Sequence, residues 1–298
     1  MNFSQLETFL VLAQTLSITK TAEKTFCTQP AVSIKIRNLE QQLNTLLFER
    51  INNRLFLTEQ GRIYQKYVRQ ALNLLETAKT HLDQFNDPTQ GNIKLGASHF
   101  VGVFFLPQLM ANYKKSYPNV NISLDISSSQ QLIQKLADHQ LDLLIMSDQI
   151  YFDPHKYELK TFLDDELILI VPNDHWLATE KGCTFDSLRN ETLLTKQEHS
   201  NTRLFLEKRI HQKDKIMPKL LEINSLEGIK QGVIYGLGIG IIPKIAVKNE
   251  LKFGLIKEVK VVDIEFNRKI CFVHQKDKYL SPTIRQFLDY LVKVNIVV

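Results

Sequence analysis

Gln29, Pro30, Ser33, Ile34 and Arg37 lie in the stretch "TQPAVSIKIRNLEQQL", and at about 100° per residue they gather with Gln41 on one side of a helix. An amide, a hydroxyl, a guanidinium and apolar groups, with no acid among them, are the chemistries that read base edges and thymine methyls in the DNA major groove. A merely solvated helix would more often carry Glu/Lys pairs there, and on this stretch alone that bland reading stays open. A second set of residues suits anions. Ser98 and His99, then Ser127, Ser128 and Ser129, then Ser200, Asn201 and Thr202, each follow a strand-like run or open a helix-like one. Hydroxyls and free N–H groups at helix starts hold carboxylates, sulfate or phosphate, although each serine taken singly is equally well an N-cap. His99 either adds charge near neutral pH or is a satisfied donor.

No comparable set supports catalysis. The chain has no G-x-S-x-G elbow and no H-E-x-x-H pair, so no catalytic residue, cofactor or metal is expected. Cys27, Cys183 and Cys271 are odd in number and far apart, which predicts reduced thiols rather than a disulfide framework or zinc site. "GLGIG", residues 236–240, comes after a helical pattern and before a strand, the reverse of a dinucleotide fingerprint, and reads as a tight helix-to-strand turn.

The elements that must carry these residues follow from periodicity. Phe3, Leu6, Phe9, Leu10, Ala13 and Leu16 predict a first helix, and Ile18, Ala22 and Phe26 a short second one after Ser17. A turn "CTQ" then leads into the helix that starts at about Thr28, where Pro30 is tolerated because first-turn N–H groups have no intrahelical acceptor. Val32, Ile36, Leu39 and Leu43 form its core stripe. Helix, short turn, helix is the arrangement whose second member lies in the major groove. "LLFERINNRLFLT" predicts a hairpin turning at Asn52-Asn53 with Arg50 and Arg54 beside the turn, either a phosphate-holding wing or an ordinary surface hairpin. From Thr58 a long helix runs to about residue 86, with Ile63, Tyr67, Ala71, Leu74, Ala78, Leu82 and Phe85 on one stripe, which a second copy of the chain would naturally cover.

"NDPTQGN" has hinge composition, and beyond it strands and helices alternate. That alternation predicts a parallel α/β sheet in two lobes with a crevice for a small molecule at the strand-to-helix junctions. The expected divisions are a winged helix-turn-helix at 1–58, a linker and hinge at 59–90, and a domain at 91–298 with lobe I at about 91–163 and 267–298 and lobe II at about 164–266. A chain of 298 residues that is 44% apolar can bury such cores, and a net charge of +5 permits a polyanionic partner without demanding one. No run reaches the roughly 18 apolar residues of a membrane span, and Glu7 with no basic leader argues against a signal peptide, so the cytoplasm is the expected compartment and no membrane a partner.

Residues 1–61, with "QLETFLVLAQTLSITKTAEKTF", "TQPAVSIKIRNLEQQL", "LFER" and "LTEQG", resemble the LysR-type transcriptional regulators in order and spacing. "YPNVNISL", "LDLLIM", "LILIVPNDHWLA", "GLGIGIIP" and "HQKDKYLSP" extend the resemblance over the whole chain, toward the subgroup of sulfur-assimilation and carbon-fixation regulators. The resemblance implies a periplasmic-binding-protein-like effector domain, a homodimer or homotetramer joined through linker helices, operator DNA and a small-molecule effector as partners, and RNA polymerase as a further one. It places base contacts at Gln29, Pro30, Ser33 and Ile34, and Ile34 departs from the polar residue common there. Arg37 suits phosphate or a groove edge, and Thr28, Lys20, Lys35, Arg50 and Arg54 complete the expected DNA-contacting set. Thr21 and Thr25 replace common apolar residues and are expected to loosen the second helix without abolishing it. The family includes a peroxide-sensing cysteine switch, but Cys183 and Cys271 show no sign of a reactive pair. The reading from another class is a metabolite-binding protein or enzyme whose N-terminal domain serves assembly only.

Overall fold

Thr28 has the extended backbone of an N-cap, and its Oγ1 accepts the Ala31 amide at 3.3 Å. The helix that Pro30 opens therefore runs over Gln29–Leu43. The computed structural model describes residues 2–52, 54–84 and 87–293. Its first module carries α1 (Phe3–Thr15), α2 (Ile18–Lys24), α3 (Gln29–Leu43), β1 (Phe48–Ile51), β2 (Arg54–Leu57) and α4 (Glu59–Gln84).

Ile36 and Leu39 of α3 join Phe9, Leu12, Leu47, Phe48 and Val68 in one core, with Leu43 at its edge, and Val32 is buried as well. Each such side chain contributes about 2 kcal/mol by leaving water. Glu40, on the same helix, accepts the Leu47 and Phe48 amides with one carboxylate oxygen at 2.8 and 3.1 Å, which fixes where β1 leaves α3. β1 and β2 pair antiparallel with Ile51 opposite Arg54, and Asn52 takes a φ of 51° in the turn. Asn53, the other expected turn residue, lies outside the described residues.

One expectation about α2 needs correction. Phe26 does not extend its stripe: Thr25 caps the helix, Phe26 takes a left-handed φ of 52°, and its side chain is 97% exposed. Thr21 and Thr25, expected to loosen the helix, both spend their hydroxyls on nearby groups. The buried Thr21 hydroxyl lies 2.7 Å from the Thr15 hydroxyl and donates to the Ser17 carbonyl, and the Thr25 hydroxyl donates to the Thr21 carbonyl at 2.8 Å. Thr58 caps α4 by accepting the Gly61 amide at 2.9 Å. Along α4, Ile63, Tyr67, Ala71, Leu74, Ala78 and Leu82 are all exposed, while Val68 faces the module's own core. Phe85, the last residue of the expected stripe, lies outside the described residues.

The second module continues with β3 (Gly91–Ala97), a π-helical turn at Val101–Phe105, α5 (Leu106–Ser116), β4 (Val120–Ile126), α6 (Ser129–Ala137), β5 (Leu143–Ser147) and β6 (Tyr157–Pro172). Then come β7 (Thr192–Thr195), α7 (Asn201–His211), β8 (Lys219–Glu222), α8 (Leu226–Ile234), β9 (Ile239–Pro243), α9 (Lys248–Lys252), β10 (Ile256–Val259), β11 (Phe266–Gln275) and α10 (Pro282–Lys293). One sheet has the order β4-β3-β5-β11-β6-β9-β7-β8, with β10 also on β6.

The sheet is mixed, not parallel as expected. β3 pairs parallel with β4 and β5, and β7 with β8 and β9, but β11 runs antiparallel to β5 and β6, and β6 antiparallel to β9 and β10. The chain crosses from one half of the sheet to the other along β6 and returns along β11, and a strand that returns must oppose the one that left. The expected lobe limits near 163 and 267 fall inside these two strands. Alternation along β6 sends Leu167, Leu169 and Val171 to one core and Ile168 and Ile170 to the other. Between α8 and β9, Gly236 has a φ of 72°, and a Cβ on Gly238 would lie 2.2 Å from the Thr192 carbonyl oxygen. "GLGIG" is thus a close helix-to-strand turn. Among the described residues no helix is long and apolar enough to cross a membrane, and no cluster of His, Cys, Asp or Glu could hold a metal ion.

Removing the Glu40 carboxylate strands two amide donors at the start of β1. Glu40→Ala is therefore expected to cost about 2 kcal/mol in the unfolding of the first module, read by urea denaturation of the full chain, with Glu40→Gln recovering part of the loss. Wild-type stability in Glu40→Ala would contradict this anchoring role.

Candidate functional site

On the first module, the solvent face of α3 presents Gln29, Pro30, Ile34 and Arg37 exposed and Ser33 half-buried. Gln29, Pro30 and Ser33 share one concave surface with Arg50 and Arg54 of the hairpin and with Ser17, Ile18 and Thr19 at the start of α2. Arg50 is opposite Leu55 and Arg54 opposite Ile51 in the ribbon, so they occupy successive pairs, and both line this concavity. The other expected DNA residues are placed outside it. Thr28 spends its hydroxyl on the cap, and Lys20 is exposed on α2. Lys35 is turned toward α1, its ammonium donating to Ser4 Oγ at 2.7 Å and lying 3.4 Å from Cys27 Sγ.

On the second module, the junctions between strands and helices surround a cavity of about 650 Å³. All eight residues expected to bind an effector line it: Ser98, His99, Ser127, Ser128, Ser129, Ser200, Asn201 and Thr202. Their hydroxyls are not equally free. Ser200 caps α7 through the Arg203 amide at 3.1 Å, and Ser128 takes up the Gln131 amide and side chain, so for these two the capping reading holds. Ser127 donates to Asp125 at 2.5 Å, and Asp125 also pairs with Lys135. The Lys135 hydrogen bond, then that from Ser127, holds the Asp125 carboxyl below its ordinary pKa. Ser129 Oγ accepts from Asn201 Nδ2 at 2.7 Å, a bond that joins the starts of α6 and α7 across the cavity. Ser98 Oγ is buried without a partner among the described residues.

Two cations in this cavity were not anticipated from the sequence. Arg268, on β11, is buried, with its guanidinium carbon 4.5 Å from the centroid of the Phe100 ring. Its Nε donates to Asp165 Oδ2 on β6 at 2.6 Å and its Nη1 to Thr202 Oγ1 at 3.3 Å. Burial pushes the Asp165 carboxyl above its ordinary pKa, against the pull of the Arg268 charge. Lys196, after β7, has its pKa lowered by burial. His99 is exposed at the cavity mouth, where partial desolvation and then the Lys196 charge lower its pKa, with Glu227 acting the other way. That leans His99 toward the neutral ring, the donor-acceptor reading rather than the added charge. The apolar part of the wall includes Phe100, Leu194, Ile229, Ile242 and Pro243. The arrangement suits a small molecule with an acid group and a carbon frame.

Residues 3–62 match the bacterial regulatory helix-turn-helix of the lysR family, and residues 86–295 match the LysR substrate binding domain. The chain belongs to the LysR family of transcriptional regulators. This LysR-type regulator is 32% identical to the HTH-type transcriptional regulator YwqM of Bacillus subtilis over 97% of its own length and 98% of the relative's. It is 31% identical to the transcriptional activator CmpR of Synechocystis, covering 96% and 93%. Proteins named as probable RuBisCO transcriptional regulators, and CysL of Bacillus subtilis, are relatives too. Among solved structures, full-length CbnR complexed with its target DNA matches in fold, with a TM-score of 0.74 at 18% identity over 98% of this chain and 99% of that one. The regulatory domain of CcmR from Synechocystis in complex with 2-PG matches with a TM-score of 0.62 at 25% identity, over 68% and 96%. The LysR-type regulator is a DNA-binding transcriptional regulator with an effector-binding domain.

Its cysteines differ in environment. Cys27 is half-buried, whereas Cys183 and Cys271 are buried, and burial, chiefly, pushes the Cys271 thiol up to about 12 and raises that of Cys183. A thiol reagent at about pH 8 is expected to modify only Cys27 quickly in the native protein and the other two only after denaturant is added. Fast labelling of Cys271 without denaturant would contradict its packing.

Proposed function

We propose that this regulator reads an operator with α3 and the hairpin of each protomer and responds to a small anionic metabolite held in the 650 Å³ cavity of its second module. The observation that carries the DNA half of this reading is the single concave surface shared by Gln29, Pro30, Ser33, Arg50 and Arg54. In this reading Gln29 and Ser33 take base edges, Ile34 and Pro30 offer apolar contact to thymine methyls, and Arg37, Arg50 and Arg54 hold phosphates. Lys20 and Lys35 add positive field. CbnR, of like fold, is known in complex with its target DNA, which supports the assignment. The exposed stripe of α4 is the surface through which two copies dimerise, doubling the reading helix. Higher assembly to a tetramer and contact with RNA polymerase belong to the same reading, as does the division at about residues 58 and 90. A DNA-reading role places the protein in the cytoplasm and gives it no chemical step of its own.

CcmR in complex with 2-PG supports an organic anion as the effector class. An effector biases the assembly only through different affinities for its two arrangements, so it alters the footprint by changing bending or half-site choice.

Selection of genomic fragments by the purified protein, followed by footprinting at about 150 mM salt, is expected to return a protected inverted repeat over several helical turns. No fragment enriched over bulk DNA, with or without metabolites, would overturn the reading. On the selected operator, Gln29→Ala and Ser33→Ala should each cost roughly 1–3 kcal/mol at a few base pairs, whereas Arg50→Ala and Arg54→Ala should weaken all sequences alike and reduce the salt slope by about 1. Equal loss of specific and nonspecific binding in Gln29→Ala would remove it from the readers.

A further inference from the structure

Pro107 stands inside a continuous helix. Helical backbone runs from His99 to Ser116, and a proline there has no N–H to bond and a ring that would meet the Val103 carbonyl in an unbroken α-helix. The chain widens instead into the π-helical turn at Val101–Phe105, where the Leu106 amide reaches back to the Val101 carbonyl. Such turns insert one residue into a helix and frequently mark functional sites. This helix follows β3 in the first half of the sheet, and its start carries His99 and Phe100 to the cavity. Gly102, in the turn, is so close to Ile126 at the end of β4 that a Cβ would come within 2.6 Å of its Cγ1. Phe105 enters the core, its ring 6.1 Å from that of Phe162 on β6.

Phe104, the residue before it, is half-buried and meets the other half of the sheet at Lys230. Lys230 lies on α8 and is only 4% exposed, a degree of burial that lysines almost never reach unless paired. Its ammonium is held at 2.6 Å by Glu250 of α9 and at 3.1 Å by Glu227, one turn earlier on α8. Both carboxylates belong to its own half. Nζ also lies 5.1 Å from the centroid of the Phe104 ring, the range in which a cation is drawn to an aromatic face. One half of the sheet thus fixes the ammonium and the other supplies the ring. The contact is one residue from Ile229 and one turn from Phe100, which both stand in the cavity wall.

We propose that Phe104 and Lys230 form a brace between the two halves of the second module, and that this brace holds the crevice closed when nothing occupies it. The π-turn delivers the ring, and Glu227 and Glu250 hold the ammonium against it. Opening about the crossing strands draws α8 away from the helix at 99–116 and parts the two groups. Entry of a molecule that fills the cavity requires that opening, so the brace sets how much of the protein is ready to admit one. The inference concerns an equilibrium of the module itself and goes beyond the identity of any effector.

The test is thiol labelling of the full-length protein, with neither DNA nor metabolite added. In a Cys27→Ser background, Ser98→Cys places a reporter in the cavity, where the native hydroxyl oxygen is buried. Cys183 and Cys271, buried in two other cores of the module, report general loosening. The probe is fluorescein maleimide, which is too bulky for a closed crevice, and peptide mass spectrometry follows each thiol separately. Phe104→Leu removes the aromatic face, Phe104→Tyr retains it, and Lys230→Met keeps the stem without the ammonium. Phe104→Leu and Lys230→Met are each expected to speed labelling at position 98 at least about fivefold, with Cys183 and Cys271 unchanged and Phe104→Tyr near the parent rate. The two substitutions together are expected to label no faster than the faster single one, because both break the same contact.

Unchanged labelling at position 98 in Phe104→Leu overturns the brace. Equal acceleration of all three thiols in that variant overturns it too, as do additive effects of the two substitutions. A parent protein that labels at position 98 as fast as a denatured chain would show a crevice that no brace closes. If Lys230→Met fails to fold or frees Cys183, the two Phe104 variants decide. Operator and effector are absent from the assay, so its failure leaves the regulator reading standing, and failure to find an operator leaves the labelling result standing.

Discussion

The antiparallel pairing of β6 with β11 is the constraint on which the second module depends. Its register runs from Phe266 opposite Leu167 to Gln275 opposite Tyr157, with one irregularity between Ile270 and Cys271. A chain that builds one half of a sheet, crosses to build another and then returns needs two strands long enough to belong to both. These two are that pair. Their pairing brings the ends of β3 and β4 to face the start of α7, and the cavity is the space left at those junctions. Near the crossover the register sets Asp165 against Arg268. Two charges so deeply buried are poor stabilisers compared with apolar residues of the same volume, because desolvation offsets most of their attraction. Their presence at the cavity is better explained by orientation, since the pair fixes a guanidinium whose remaining edge is unspent.

How much of this was legible in the sequence depended on whether a local rule was enough. The α3 stripe, the Thr28 cap and the hairpin all follow from residues a few positions apart, and each was readable. The eight polar residues of the cavity were readable for the same reason, because a serine after an apolar strand announces a helix start wherever the strand goes. Phe26 was misplaced by extending an i, i+4 pattern one turn too far, past a threonine that closes the helix. The parallel sheet was a wrong inference from alternation. Its first and last strands of each half do run parallel, but the polar stretch "YELKTFLDDE" gives the first half of β6 no apolar run to announce a strand.

Arg268 and Lys196 were missed for a different reason. In "NRKICFVHQ" an arginine near a strand's start looks like an edge charge, and nothing local says that it is buried. The available signal was its counterpart, an acid inside "LDDELILIV", an acidic pair at the head of an otherwise apolar run. Linking the two requires the long-range register, and pairing across 103 residues is not written in either segment alone. The free edge of Arg268 is one step further still, because it is defined by which of its donors other elements already occupy.

The DNA-facing module shows the opposite economy, with position fixed by short-range bonds and chemistry left on the surface. Glu40 binds the backbone of the residues that begin β1, so the helix expected to enter the groove and the hairpin expected to lie beside it are set by one carboxylate rather than by a flexible loop. That matters for recognition, since base contacts carry sequence information only if the helix enters the groove in a reproducible register. Ile34 on the exposed face then has a definite consequence. It cannot donate or accept, so at its position the module can favour a thymine methyl or be indifferent, and cannot demand a guanine. In the reading proposed above, discrimination rests on Gln29 and Ser33, two neutral side chains that each contribute modestly. A reader of that kind gains its selectivity from two half-sites read together, which gives the exposed stripe along α4 its place in the argument: pairing of copies is what the chemistry of α3 requires, and an apolar helix face left open to water is what pairing would use.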